Sequence, residues 1–292
     1  MSRSSTYPRD LRVDVVRGLA LVSMYVAHGA PSGGPGNSLT LSEYLTYPLF
    51  AALVGTGAEL SGRRLGGRAS LAGWWGVAVR GAVLVVVGIL LDRAGAQVVV
   101  VLVYLGLLTW LAAPLARARS SVVVGTAVAA FALAPLGQAA VADDRIGLLQ
   151  DGAPARARVL EVLLAGESYR LSSMVLFACV GLLLARWLLD REPSVQLRTG
   201  GVAVVLAAAF LVAAETGLFV LAPYDATHAE HLFDVLLVVG VVALGVGIAG
   251  RVRSATAPLA WIGQMSLTLY SAQIAWLAYD VRVLHPGEPD DS

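Results

Sequence analysis

Lysine is absent from this chain: all 21 basic residues are arginine. Cysteine is nearly absent. The single Cys179 lies in an apolar run, so no intrachain disulfide framework holds the fold. Charge is scarce as well. Asp, Glu, Lys and Arg make up 14% of the residues against 57% hydrophobic ones, and the net charge is +1. A soluble domain carries about a quarter charged residues. The balance excludes a basic nucleic-acid binder and a water-soluble globule. With a mean hydropathy of +0.74, the chain reads as a polytopic, all-α transmembrane helical bundle. Long polar tracts are missing too, so residues 1–292 read as one integral-membrane domain without a soluble partner domain.

What is present is a succession of apolar runs near the length of about 20 residues that a bilayer requires. They fall at about 12–30, 41–60, 71–91, 98–115, 122–141, 171–189, 202–221, 232–249 and 259–279. The longest polar stretch, 142–170, contains VLEVLLAG, which suits an interfacial helix. The expectation is about nine to eleven spans. Arginine placement sets the orientation. Arg3, Arg9, Arg12, the Arg63/Arg64/Arg68 trio, Arg117, Arg119, Arg186, Arg191, Arg198, Arg251 and Arg253 keep one phase through the spans. That phase puts the N-terminus in the cytoplasm. No cleavable signal peptide is expected, because the first apolar helix is long and charged. No convincing internal repeat of the kind found in transporters is present.

The first span, RVDVVRGLALVSMYVAHGA, organises the rest. It is apolar enough for a membrane yet carries Asp14, Arg17 and His28. An ionisable residue in a membrane segment is costly and marks a functional site by default. Arg17 and His28 are eleven residues apart, about three helical turns, so they share a face roughly 16 Å apart along the axis. Asp14 precedes Arg17 by three residues and pairs with it on that face. The structural alternative is an ion pair closing a helix end and a hydrogen-bonded histidine at the interface.

A second group is His228, His231 and Asp234, at helical spacing, with Asp225 and Glu230 close by. The spacing hints at half a metal site, but it matches no zinc signature and no cysteine supports it; no metal is expected. An acceptor site or a solvated loop are the other readings. Arg80 and Glu215 lie inside the third and seventh spans and read as a bracing pair, with Arg80 on a phosphate as the alternative. Glu59 reads as a helix-end partner of Arg63 and Arg64. The run Gly55-Thr56-Gly57 permits close helix approach or leaves room for a chain. Trp74 and Trp75 suit an interface anchor. Gln264, Tyr270 and Gln273 polarise the last span, by interhelical hydrogen bonds or as a lining.

These motifs resemble the membrane acyltransferase superfamily. Arg17-x10-His28 is similar to the signature helix of the acyltransferase-3 family. RVDVVRGLALVSMYVAHG resembles the R-x-x-D-x-x-R-G-x-A start of heparan-α-glucosaminide N-acetyltransferase relatives and of YeiB-like membrane proteins. SLTLSEYLTYPLFAALVGTGAEL, VVVVLVYLGLLTWLAAPLAR, LLAGESYRLSSMVLFACVGLLLAR, ATHAEHLFDVLLVVGVVALGVG and PLAWIGQMSLTLYSAQ resemble later helices of those proteins, in the same order. ESYR stands where relatives have Tyr-Pro, and Ala-Arg where they have Gly-Arg.

The resemblance implies a bacterial plasma-membrane enzyme. It would move an acyl group, acetyl in the first instance, from cytoplasmic acyl-CoA to a hydroxyl or amine. The acceptor would be an extracytoplasmic sugar, glycolipid or small metabolite. His28 would be the base, Arg17, Asp14 and Arg80 would serve acyl-CoA, and His228, His231, Asp234 and Gln273 would face the acceptor. Partners are then acyl-CoA, the acceptor and membrane lipid, with no nucleic acid; a homodimer is compatible with the sequence. A transporter or exporter without covalent chemistry is the rival class.

Overall fold

The computed structural model describes residues 10–29, 39–64, 71–96, 98–150, 153–166 and 168–284. Of the described residues 84% are helical, and none lies in a strand. The described residues form eleven α-helices, in order: α1 (Leu11–Gly29), α2 (Leu41–Arg64), α3 (Leu71–Asp92), α4 (Leu102–Leu115), α5 (Ser120–Gln150), α6 (Pro154–Leu160), α7 (Leu171–Trp187), α8 (Pro193–Glu215), α9 (His228–Arg251), α10 (Arg253–Gln264) and α11 (Ser266–Tyr279). Single π-helical turns extend α6 over Glu161–Ala165 and α11 over Asp280–Leu284.

Among the described residues four helices are long and apolar enough to cross a membrane: Gly73–Asp92, Ser120–Val141, Pro193–Glu215 and His228–Arg251. The first three are peripheral. Only 11%, 11% and 17% of their most apolar windows are buried, against 56% for α9. An apolar surface left open to this extent is what lipid contact requires. The first helix, α1, packs on α2, α9, α10 and α11 and buries Val13, Asp14, Val16, Leu21 and Met24.

The boundaries depart from the sequence pattern in four places. α4 begins at Leu102, after an irregular segment at 98–101. α5 runs on to Gln150, because the polar residues after Val141 continue a helical ladder. α8 starts at Pro193 and ends at Glu215, since proline fits a first helical turn and residues 216–227 form the next connection. The expected last span is two helices, broken at Met265 between α10 and α11.

Small residues set how closely the central helices approach. A Cβ on Gly18 would collide with the backbone carbonyl of Leu259, and one on Gly263 with that of Asp14, so α1 and α10 touch backbone to backbone. The same holds between α2 and α7, where Gly55 faces the Ala178 carbonyl and Gly181 the Ala52 carbonyl. Such small-residue contacts let helices associate where lipid offers no hydrophobic driving force.

Candidate functional site

Side-chain bonds define two ends of the bundle. The end where α1 begins is tied by Glu59. Its carboxylate accepts from Arg63 Nε at 3.2 Å and Arg186 Nε at 2.8 Å. Arg186 reaches on to the Ala116 carbonyl at 2.9 Å and Ser120 Oγ at 3.3 Å, while Arg63 pairs with Asp190 at 2.6 Å. The expected Glu59–Arg63 pair is therefore one half of a clamp joining α2, α7 and the α4–α5 turn. Arg186 entered the sequence reading only as an orientation marker.

Directly above this clamp lies a cavity of about 500 Å³ between α1, α2, α3, α4 and α11. Phe50, Leu53, Val54, Leu84 and Leu105 give it an apolar wall. Arg17, Arg80 and Arg117 enter it from three different elements, together with Asp10. The carboxylates nearby are already taken. Asp14 is wholly buried and accepts from Arg17 Nη1 at 2.6 Å, and Asp10 accepts from Arg12 Nη2 at 2.8 Å. Arg117 donates to its own helix at the Ala113 carbonyl, and its guanidinium sits 4.3 Å over the Trp74 ring. Among the described residues Arg80 has no acidic partner. The expected Arg80–Glu215 brace does not form: Arg80 faces the cavity, while Glu215 is exposed at the end of α8. Among the described residues the cavity thus carries, in Arg80, a cation that no carboxylate neutralises. Guanidinium is the side chain best shaped for bidentate phosphate contact.

The triplet after Leu53 divides its work. Gly55 permits the α7 approach, Thr56 Oγ1 donates to the Gly181 carbonyl at 3.1 Å, and Gly57 points at Arg17, whose Nη2 would lie 3.8 Å from a Cβ there.

Three turns along α1, His28 is partly buried, and its Nδ1 lies 3.3 Å from Gln273 Nε2 on α11. Arg17 shares its cavity with Ser266 and Leu267 of the same α11. Both residues of the Arg-x10-His pattern therefore look toward one helix. Gln273 touches His28 itself, and three residues back on α11 the Tyr270 hydroxyl accepts from the Val101 N–H at 3.2 Å.

The opposite end holds a second buried group. Glu230, His231 and Asp234 are fully buried on α9. Tyr47 Oη donates to Asp234 Oδ2 at 3.4 Å, while Asp234 Oδ1 and both ring nitrogens of His231 have no hydrogen-bond partner among the described residues. Glu230 accepts from the backbone N–H groups of Tyr224, at 2.5 Å, and of Ala226. Those two residues hold left-handed φ values of 64° and 52°, so the carboxylate props up a strained loop. Arg170 Nη2 donates to the Tyr224 carbonyl at 2.9 Å from the other side. Tyr47 packs against Tyr169, Phe177 and Tyr224 with ring centroids 5.7, 5.6 and 5.9 Å away. Burial raises the Tyr169 and Tyr224 hydroxyls above the ordinary phenol range, so both stay neutral. His228 goes elsewhere: it packs on Phe131 at 5.3 Å, with Nε2 3.4 Å from the Ala132 carbonyl. The His228/His231/Asp234 spacing therefore does not converge on one point. Among the described residues no group of three or more His, Cys, Asp and Glu side chains is placed to hold a metal ion.

Tyr47, Arg117, Arg170 and Arg186 are the polar contributors that the sequence reading passed over as site residues. Only an arginine inside or bordering an apolar run marked three of them. Comparison with known proteins yields no match: no family model fits the chain, and no curated protein and no solved structure matches it.

Proposed function

We propose that the protein is an integral-membrane acyltransferase of the YeiB-like kind, using acyl-CoA, in the first instance acetyl-CoA, as donor. The observation that carries this reading is the arginine-lined cavity, which Arg17 enters from the same polar side of α1 that ends in His28. The cavity end faces the cytoplasm, in keeping with Arg12, Arg63, Arg117 and Arg186 gathered there. On this reading the bundle crosses the bacterial plasma membrane about nine to eleven times, with shorter helices supplementing the four long apolar ones.

Arg17 and Arg80 hold donor phosphates, with Arg117 at the rim, and Asp14 fixes the Arg17 guanidinium. The pantetheine arm then lies along α1, where about 16 Å of helix separates Arg17 from His28. His28 takes the proton of the acceptor hydroxyl or amine as the thioester is attacked. The acceptor is a sugar, glycolipid or small polar metabolite from the far side, the side of His231 and Asp234.

A second reading is a transporter without covalent chemistry. The specific observation in its favour is the wholly buried His231–Asp234 pair inside a span, since intramembrane ionisable residues form proton relays in pumps. The test is release of free CoA from acetyl-CoA by purified protein, with and without an envelope extract. Acceptor-dependent release that disappears in His28→Ala supports the enzyme. Absence of release with every short acyl-CoA, alongside retained binding of an envelope lipid, supports transport.

A further inference from the structure

Gln273 makes one contact that the acyltransferase reading leaves unused. It is 7% exposed, on a helix pinned three residues earlier by Tyr270. One end of its amide meets His28 Nδ1 at 3.3 Å. The other end, Oε1, is buried with no partner among the described residues. The two ends of an amide have the same shape, so hydrogen-bond chemistry decides which one faces a neighbour. With the NH₂ toward Nδ1, the ring proton sits on Nε2, and a ring that gains a second proton presents an N–H to an N–H. With Oε1 toward Nδ1, the ring proton sits on Nδ1 and Nε2 carries the free lone pair. A proton gained at Nε2 then turns the Nδ1–H···Oε1 bond into a charge-assisted one. Only the second arrangement keeps the Gln273–His28 bond itself favourable through a full proton cycle.

We propose that Gln273 is a positioning residue for His28: its carbonyl oxygen accepts from Nδ1–H and leaves Nε2 as the proton acceptor. This rests on the acyltransferase reading. The acceptor oxygen or nitrogen bonds to the thioester carbonyl carbon while its proton passes to His28 Nε2. The C–S bond breaks with its electron pair on the CoA sulfur, and the proton moves from Nε2 to that sulfur. The products are the acylated acceptor and CoA thiol, and no oxidant or reductant is consumed.

The chain has four histidines, so ¹⁵N-histidine labelling in nanodiscs gives a readable spectrum, with the His28 signals assigned by their loss in His28→Ala. The expected wild-type spectrum shows Nδ1 of His28 protonated and Nε2 bare. Gln273→Met, similar in volume without a hydrogen bond, mixes the two tautomers. It also lowers kcat for CoA release about fivefold, the effect of one neutral hydrogen bond, with KM for acetyl-CoA unchanged. Gln273→Glu keeps an acceptor and restores the Nδ1–H tautomer. A wild-type proton on Nε2, or an unchanged tautomer in Gln273→Met, overturns the assignment. A wild type that shows Nδ1–H but never releases CoA sinks the acyltransferase reading while the Gln273 contact stands.

Discussion

Replacing Arg186 by methionine tests the clamp beneath the cavity. Arg186 and Glu59 are largely buried, with side chains 12% and 10% exposed. Removing one partner of a buried pair costs about 3–5 kcal/mol, because a charge is left uncompensated. Glu59 keeps Arg63, a partly exposed partner at 3.2 Å, so the lower end, about 3 kcal/mol, is expected for Arg186→Met. Glu59→Leu leaves Arg186 its carbonyl and hydroxyl acceptors, and we expect about 1–2 kcal/mol. The two changes meet at one bond, so the double variant loses less than the sum of the singles. The assay is the apparent melting temperature in one detergent at one scan rate. At about 2–4 °C per kcal/mol for a chain of this order, Arg186→Met melts roughly 6–12 °C lower. If the cavity holds acyl-CoA as proposed, acetyl-CoA binding also weakens, because Arg186 holds the turn that carries Arg117. A melting point within about 2 °C of wild type, or strict additivity of the two singles, refutes the clamp.

Further changes separate packing from binding. Gly181→Ala drives a methyl group into the Ala52 carbonyl and costs about 1–3 kcal/mol, whereas Gly57→Ala meets only ordinary contact with Arg17 and leaves the melting point unchanged. Arg80→Gln removes a cation with no acidic partner; stability stays within about 0.5 kcal/mol, and calorimetry shows acetyl-CoA affinity falling about tenfold, the value of one charge-assisted hydrogen bond. Glu230→Gln leaves one of the two loop N–H groups unserved at about 1–3 kcal/mol, and hydrogen exchange at residues 224–226 accelerates before that of α9.

The helical class and the polar side of α1 were legible in the sequence, because hydropathy and the spacing of Asp14, Arg17 and His28 are local properties. The Asp14–Arg17 bond is an i,i+3 contact and follows from one helix alone. The Arg186–Glu59 bond joins residues 127 apart and depends on how α2 and α7 meet. The same holds for Tyr47 and Asp234, 187 residues apart. His228 shows the reverse. Its spacing suited His231 and Asp234, but it packs on α5 at Phe131, outside their buried group. The expected Arg80–Glu215 brace failed on the same ground, since compatible charges in two spans say nothing about which helices are neighbours. The break at Met265 escaped notice because hydropathy alone does not register a change of axis.

The backbone contact of Gly18 on Leu259 and Gly263 on Asp14 has a mechanical consequence. With no side chain between them, α1 and α10 behave as a fixed bearing, and neither turns about its own axis without steric collision. At about 100° per residue, even a small swivel of α1 would take Arg17 out of the cavity and His28 off Gln273. The polar helix is therefore the stator of this bundle. The opposite wall of the cavity is α3, which rests on α4, touches α11 and carries Arg80.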